Sequence, residues 1–221
     1  AGEIGRGGYV EGRVVAVGFP KATFSVATMM IGDLGNRDAQ AFADMLVRER
    51  LALAEQAPDR HNAFAFLLVD GLSLKEDILA AALSPALGGV PMFGGSAGDG
   101  VDFARTRVAL NGEVAQDAAV LALVRTALPM RVFSIDHLLP TEDRMVVTEA
   151  DPQARIVKSI NAEPAAREYA RIVGKDPEQL DTFTFAAHPV VVRIGGEHHV
   201  RAIQRVTAEG DLLFFSAIDE G

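Results

Sequence analysis

Val90-Pro91-Met92-Phe93-Gly94-Gly95-Ser96-Ala97-Gly98-Asp99-Gly100 begins apolar and runs straight into the densest glycine cluster of the chain. Val90–Phe93 reads as a short strand. The residues after it read as a loop at a sheet end, because glycine allows left-handed backbone and close approach to a neighbour. Upstream, the apolar run Ala63–Val69 ends at Asp70-Gly71 and reads as a buried strand running into a turn. Between these strands, Ser73 with Glu76 three residues later forms the pattern of a capping box, predicting a helix that ends before Pro85.

Working outward, Val14–Phe19 and Thr23–Ile31 are rich in β-branched residues and flank a Gly18, Pro20, Lys21 turn, which predicts an antiparallel pair. Arg37–Ala57 has helical periodicity, with Phe42, Met45, Leu46 and Leu53 on one face and Val47 and Leu51 nearly opposite. Two apolar stripes predict packing on both sides or a partner surface. Arg105–Leu110 followed by Asn111-Gly112 predicts a hairpin with Ala118–Val124, and Arg131–Ile135 is a further strand candidate. So many strands exclude an all-parallel dinucleotide-binding sheet.

The Pro-containing polar stretch at 138–143 is the expected boundary between a domain over 1–137 and a second over 144–221. In the latter, Met145–Thr148 and Arg155–Ile160 read as extended. Pro164 starts a helix with Tyr169, Ile172 and Val173 inward, and Gly174 ends it. Thr182–Ala186, Val190–Ile194, Val200–Val206 and Leu212–Ile218 read as strands, with Gly195-Gly196 supplying a turn. The expected fold class is α+β (mixed α/β): two layered domains with largely antiparallel or mixed sheets and a few packed helices.

Composition narrows function. The 221 residues are 49% hydrophobic and carry a net charge of -9, so the chain has core enough to fold and lacks the basic balance that nucleic acid requires. No cysteine is present, which removes disulfide frameworks, zinc ribbons and thiol catalysis. The longest apolar runs have seven residues, against roughly 20 for a bilayer span, so no membrane partner is expected. The chain opens without Met at Ala1-Gly2-Glu3-Ile4 and stops directly after a strand-like run, which reads as a piece of a longer polypeptide.

Gly94-Gly95-Ser96-Ala97-Gly98 satisfies G-x-S-x-G, the nucleophile elbow, and His137, His188, His198 and His199 follow it. The helix that the elbow needs after its serine is missing from the pattern, so catalysis by Ser96 is the minor reading. The cluster fits no phosphate-loop fingerprint; it remains a tight turn, or a loop whose amides receive a carboxylate or a ligand carbonyl. Asp99 and Asp102 are close enough for a small acidic site. His188 precedes Pro189 and is a candidate axial haem ligand, whereas His198 and His199 are strand neighbours pointing to opposite faces.

Pro91–Asp99 resembles the signature of the FIST N-terminal domain. Ala1–Ile4 is similar to part of that domain's early T-A-G-E motif, and Phe66–Leu72 to its central strand and turn. Asn161–Ala165 with Tyr169, Val200–Ile203 and Phe214–Gly221 resemble the companion FIST C-terminal domain; Ala162 stands where many members have glycine. The resemblance implies a non-enzymatic, cytoplasmic, bacterial sensory module for signal transduction. Its ligand, amino-acid-like or otherwise small, is expected near Asp70, Gly94, Gly95, Ser96, Ala97, Gly98 and Asp99. A histidine kinase or cyclic-dinucleotide enzyme is the implied partner, and some members bind haem as nitric oxide sensors. Ligand-driven closure of a cleft between the domains, hinged near Pro140, is a further expectation. Beside these stand a serine hydrolase using Ser96 and, from the two-striped helix, an interaction scaffold.

Overall fold

Ala118–Thr126 is largely apolar on both faces because it runs inside a four-stranded sheet, between two other strands. The structure, a computed structural model, describes residues 2–36, 38–100, 104–135, 138–194 and 196–221, without the side chains of 39 and 197. Ala1, Arg37, Asp102, His137 and Gly195, all invoked above, lie outside the described residues. The chain divides into two compact units, Ala1–Ile135 and Asp136–Gly221.

The first unit contains β1 (Gly2–Gly5), β2 (Gly8–Glu11), β3 (Phe24–Gly32), α1 (Ala39–Gln56), β4 (Asn62–Asp70), α2 (Glu76–Ala86), β5 (Met92–Ala97), β6 (Val108–Leu110), β7 (Glu113–Ala115) and β8 (Ala118–Thr126). Four strands form one mixed sheet in the order β3-β8-β4-β5: β8 is antiparallel to both neighbours, and β5 is parallel to β4. The parallel pair needs a crossover, which α2 supplies. One sheet face, with Met29, Ile31, Ala65, Leu67, Val69, Leu121 and Leu123, packs on Phe42, Leu46 and Leu53 of α1 and Leu79 and Leu83 of α2. On the other face Phe64 and Phe66 meet Phe93 at ring separations of 5.7 and 5.2 Å.

Several expectations are corrected. Val14–Phe19 forms no strand; β3 pairs along its whole length with β8, which offers nine partners in register. Arg131–Ile135 is likewise not extended into a ladder. Asn111 and Gly112 do form a tight turn with φ of 52° and 87°, as a primed hairpin turn requires, but it joins β6 to β7 and leaves β8 for the central sheet. Ser73 does not cap α2: the left-handed Leu74 (φ 58°) intervenes, Lys75 occupies the cap without a side-chain bond, and Pro85 sits inside the last turn. Asp38 caps α1, accepting from the Gln40 amide at 2.9 Å. Of that helix's second stripe, Val47 packs on the core and Leu51 is exposed.

The second unit contains β9 (Val147–Asp151), β10 (Ile156–Ile160), β11 (Glu163–Pro164), α3 (Ala165–Ile172), a 3-10 turn (Pro177–Gln179), α4 (Thr182–Ala187), β12 (Val190–Ile194), β13 (Glu197–Arg201), β14 (Ile203–Val206) and β15 (Leu212–Phe214). Five of these strands make an antiparallel sheet around β10, and β12 with β13 forms a separate ribbon. Tyr169 and Phe185, 5.7 Å apart, anchor a core with Val157, Ile160, Leu212 and Phe214. Thr182–Ala186, expected as a strand, is helical. Asp181 accepts from both the amide and the hydroxyl of Thr184 at 2.7 Å, which caps the turn and holds its own carboxyl below the usual range. Mixed and antiparallel sheets with a few packed helices make this an α+β fold, as expected.

Candidate functional site

Parallel strands β4 and β5 end side by side, Val69 opposite Ser96 and Asp70 opposite Ala97. The carboxyl ends of adjacent parallel strands are where such sheets commonly hold ligands. Here that end carries the Asp70–Ser73 turn, the Ser96–Asp99 segment and the first turn of α2.

The glycine cluster is not the loop it was expected to be. Gly94 through Ala97 belong to β5, and only Gly98 onward leaves the strand. A Cβ at Gly94 would overlap the Leu67 carbonyl, so this glycine is required by contact between strands. Gly71 is similar: its amide donates to the Ala97 carbonyl at 3.3 Å, and a Cβ would lie 2.5 Å from that oxygen. Gly95 and Gly98 differ, because a Cβ on either would point into open space.

β5 is an edge strand among the described residues. The Ala65 amide donates to Pro91 O and the Gly71 amide to Ala97 O, so the odd-numbered residues of β5 bond β4. By the alternation of a parallel ladder, the N–H and C=O of Gly94 and Ser96 face outward. Ser96 is exposed, and its Oγ donates to Glu76 Oε1 at 3.0 Å. Glu76 is thus a site residue that the sequence reading assigned to helix capping. Its position three residues after Ser73 gave no hint that its carboxylate reaches across to β5.

Asp70 is 3% exposed. Its carboxylate accepts from the Thr106 hydroxyl, from the Leu72 amide at 3.1 Å and from the Asp117 amide at 2.6 Å. These bonds occupy the group and fix the turn beside β5, so Asp70 shapes the site with its side chain turned inward. Asp99 accepts from the amides of Ala104 (2.8 Å) and Arg105 (2.7 Å). Asp102 lies outside the described residues, so its pairing with Asp99 is not described.

Ser96 sits within a strand, without the strand-to-helix turn of a nucleophile elbow, and its bonded partner is a carboxylate. His188 caps the C-terminus of α4; its amide donates to Thr184 O at 3.0 Å and its carbonyl accepts from the Tyr169 hydroxyl at 2.8 Å. Burial pushes the Tyr169 hydroxyl up to about 12. A mostly apolar hollow of ≈ 80 Å³ beside them includes Met145, Tyr169 and Val190 in its walls, and His188 is not among its lining residues. The described residues therefore do not fit a haem with His188 as its axial ligand there. His198 and His199 lie on β13 opposite Arg193 and Val192. No group of three or more His, Asp or Glu suited to a metal occurs among the described residues, and no helix there is long and apolar enough to cross a membrane.

No curated protein and no solved structure matches the chain. A family model, the FIST N domain, matches residues 1–163, which include all of the first unit and β9 and β10 of the second. That is well over half of the 221 residues, and the chain belongs to the FIST N domain family, a family of sensory domains in signal transduction.

Proposed function

We propose that the first unit is a small-molecule input module that holds its ligand at the carboxyl end of the β4–β5 pair. The observation that carries this reading is the Ser96–Glu76 hydrogen bond at an exposed strand edge, flanked by two glycines that open onto free space. An edge strand offers N–H and C=O groups in alternation, the pattern that an added strand would use. An amino-acid-like ligand matches it: its carboxylate accepts from the outward Gly94 or Ser96 amide, and its ammonium pairs with Glu76. Gly95, Ala97, Gly98 and Asp99 form the surrounding backbone, and Asp70 holds the adjoining turn.

A sensor requires a ligand that binds one conformation better than another. Glu76 supports this, because it belongs to the first turn of α2 while Ser96 belongs to β5, so a ligand at the pair biases the seating of helix on sheet. The family's sensory character supports a cytoplasmic setting and output to a histidine kinase or cyclic-dinucleotide enzyme. The test is a thermal-shift screen of the full chain against free amino acids. At least one is expected to raise the melting temperature, and Gly95→Leu is expected to abolish the rise. A rise unaffected by Gly95→Leu places the ligand elsewhere.

A further inference from the structure

Arg50 of α1 and Arg125 of β8 line one recess of the first unit, with Leu53, Ala63, Val90 and Leu123 among its apolar walls. The recess opens to solvent and encloses a small cavity of ≈ 60 Å³. The Nε of each guanidinium is shut off from water and has no hydrogen-bond partner among the described residues. The ion pairs among those residues are Arg144–Glu142, Lys158–Glu149 and Arg171–Glu168, so neither arginine has a carboxylate partner.

A guanidinium stays charged at any ordinary pH and presents donors in a fixed fork. Both side chains are half-buried, and sheltering the Nε–H of each without an acceptor is costly. Arg60 shows how the same side chain is satisfied structurally: it donates to Ser25 Oγ at 2.7 Å and to the carbonyls of Lys21 and Ala22 at 3.0 and 3.3 Å. Arg50 gains part of a counter-charge, since it lies against Gly88 just beyond the last residue of α2, where the helix end carries about half a negative charge. Ala63 stands seven residues from Asp70 along β4, so the recess lies roughly 23 Å from the β4–β5 carboxyl end.

We propose that this recess is a second ligand site, for an organic anion with a short aliphatic body. Its carboxylate or phosphate is held by the Arg50 and Arg125 forks, and its body lies against Leu53, Val90 and Leu123. Fork-shaped donors match both anions, each of which presents a pair of oxygens that two parallel N–H groups can reach. The two arginines are far apart in sequence and come to line one recess through the packing of α1 near β8.

Isothermal titration of the full chain at low salt with octanoate, octyl phosphate, octanol and octylamine tests the assignment. One or both anions bind saturably at one site, and the tighter one identifies the headgroup; octanol and octylamine do not bind. Arg125→Gln and Arg50→Gln each weaken binding at least about tenfold, while Arg60→Gln stays within about twofold. Without ligand, Arg125→Met melts no lower than the unsubstituted protein, because a sheltered donor without an acceptor is removed. Failure of both anions to bind, octanol binding as tightly as octanoate, or unchanged affinity in both Gln variants overturns the site. If Arg125→Gln does not fold, Arg50→Gln gives the binding readout, and unchanged affinity there overturns the site.

Discussion

The Ser96 hydroxyl donates to the Glu76 carboxylate at 3.0 Å, tying the exposed edge of β5 to the first turn of α2. This single bond connects the part of the sheet with free backbone groups to the helix that crosses between the parallel strands. On the proposed reading, ligand capture at this edge is thereby coupled to helix position.

The glycines of β5 separate into structural and open ones. Gly94→Ala forces a methyl group into the Leu67 carbonyl and is expected to cost about 2–4 kcal/mol. Gly95→Ala meets nothing and is expected to change stability by no more than about 0.5–1 kcal/mol, in the stabilising direction if at all. Urea denaturation of both variants measures the contrast, and equal losses would contradict the strand assignment.

Asp70→Ala removes the acceptor for the Thr106 hydroxyl and for the Leu72 and Asp117 amides. Buried donors without acceptors are expensive, and a loss of roughly 3 kcal/mol is expected in the same assay. A near-neutral effect would show that the Asp70 side chain faces solvent or ligand instead.

Glu168 is buried beside Arg171, whose guanidinium bonds it at 2.6 and 2.8 Å, and the Asn161 amide adds a third bond at 2.8 Å. Arg171 first and Asn161 second bring its pKa from 4.5 down to about 2. A carboxyl depressed on folding stabilises the folded state fully above its ordinary value, and this contribution fades as the pH falls from 4.5 toward about 2. Melting temperature followed down through this window should fall less steeply in Glu168→Gln than in the unsubstituted protein. Parallel curves would contradict the pairing.

Ala162 has φ of 63°, a left-handed conformation that costs a side chain about 1 kcal/mol. Ala162→Gly is expected to stabilise the second unit by up to about 0.5 kcal/mol, as relief of strain exceeds the added freedom of the unfolded chain. Calorimetric melting reads the sign.

The sequence made local patterns legible and left non-local choices hidden. The apolar run of β4 and the inward face of α1 follow from periodicity, so Ala63–Val69 and Phe42, Leu46 and Leu53 stand where periodicity puts them. Partner choice is different: Asn111-Gly112 announces a hairpin without saying that β7 rather than β8 returns from it. Thr182–Ala187 has strand-like residues, yet the Asp181 cap and the burial of Phe185 outweigh that propensity. At the site, glycine's reputation as a loop former hid a strand, because the demand on Gly94 comes from Leu67, a residue far away in sequence. Glu76 was visible only as half of a capping box.

The most direct test is calorimetric titration of the amino acid found by thermal shift into the full chain, Ser96→Ala and Glu76→Gln. Binding to the β4–β5 end predicts one site per chain, with affinity at least about tenfold weaker in Glu76→Gln and about threefold to tenfold weaker in Ser96→Ala. Binding of equal strength in all three proteins, or no binding by any amino acid, would contradict it.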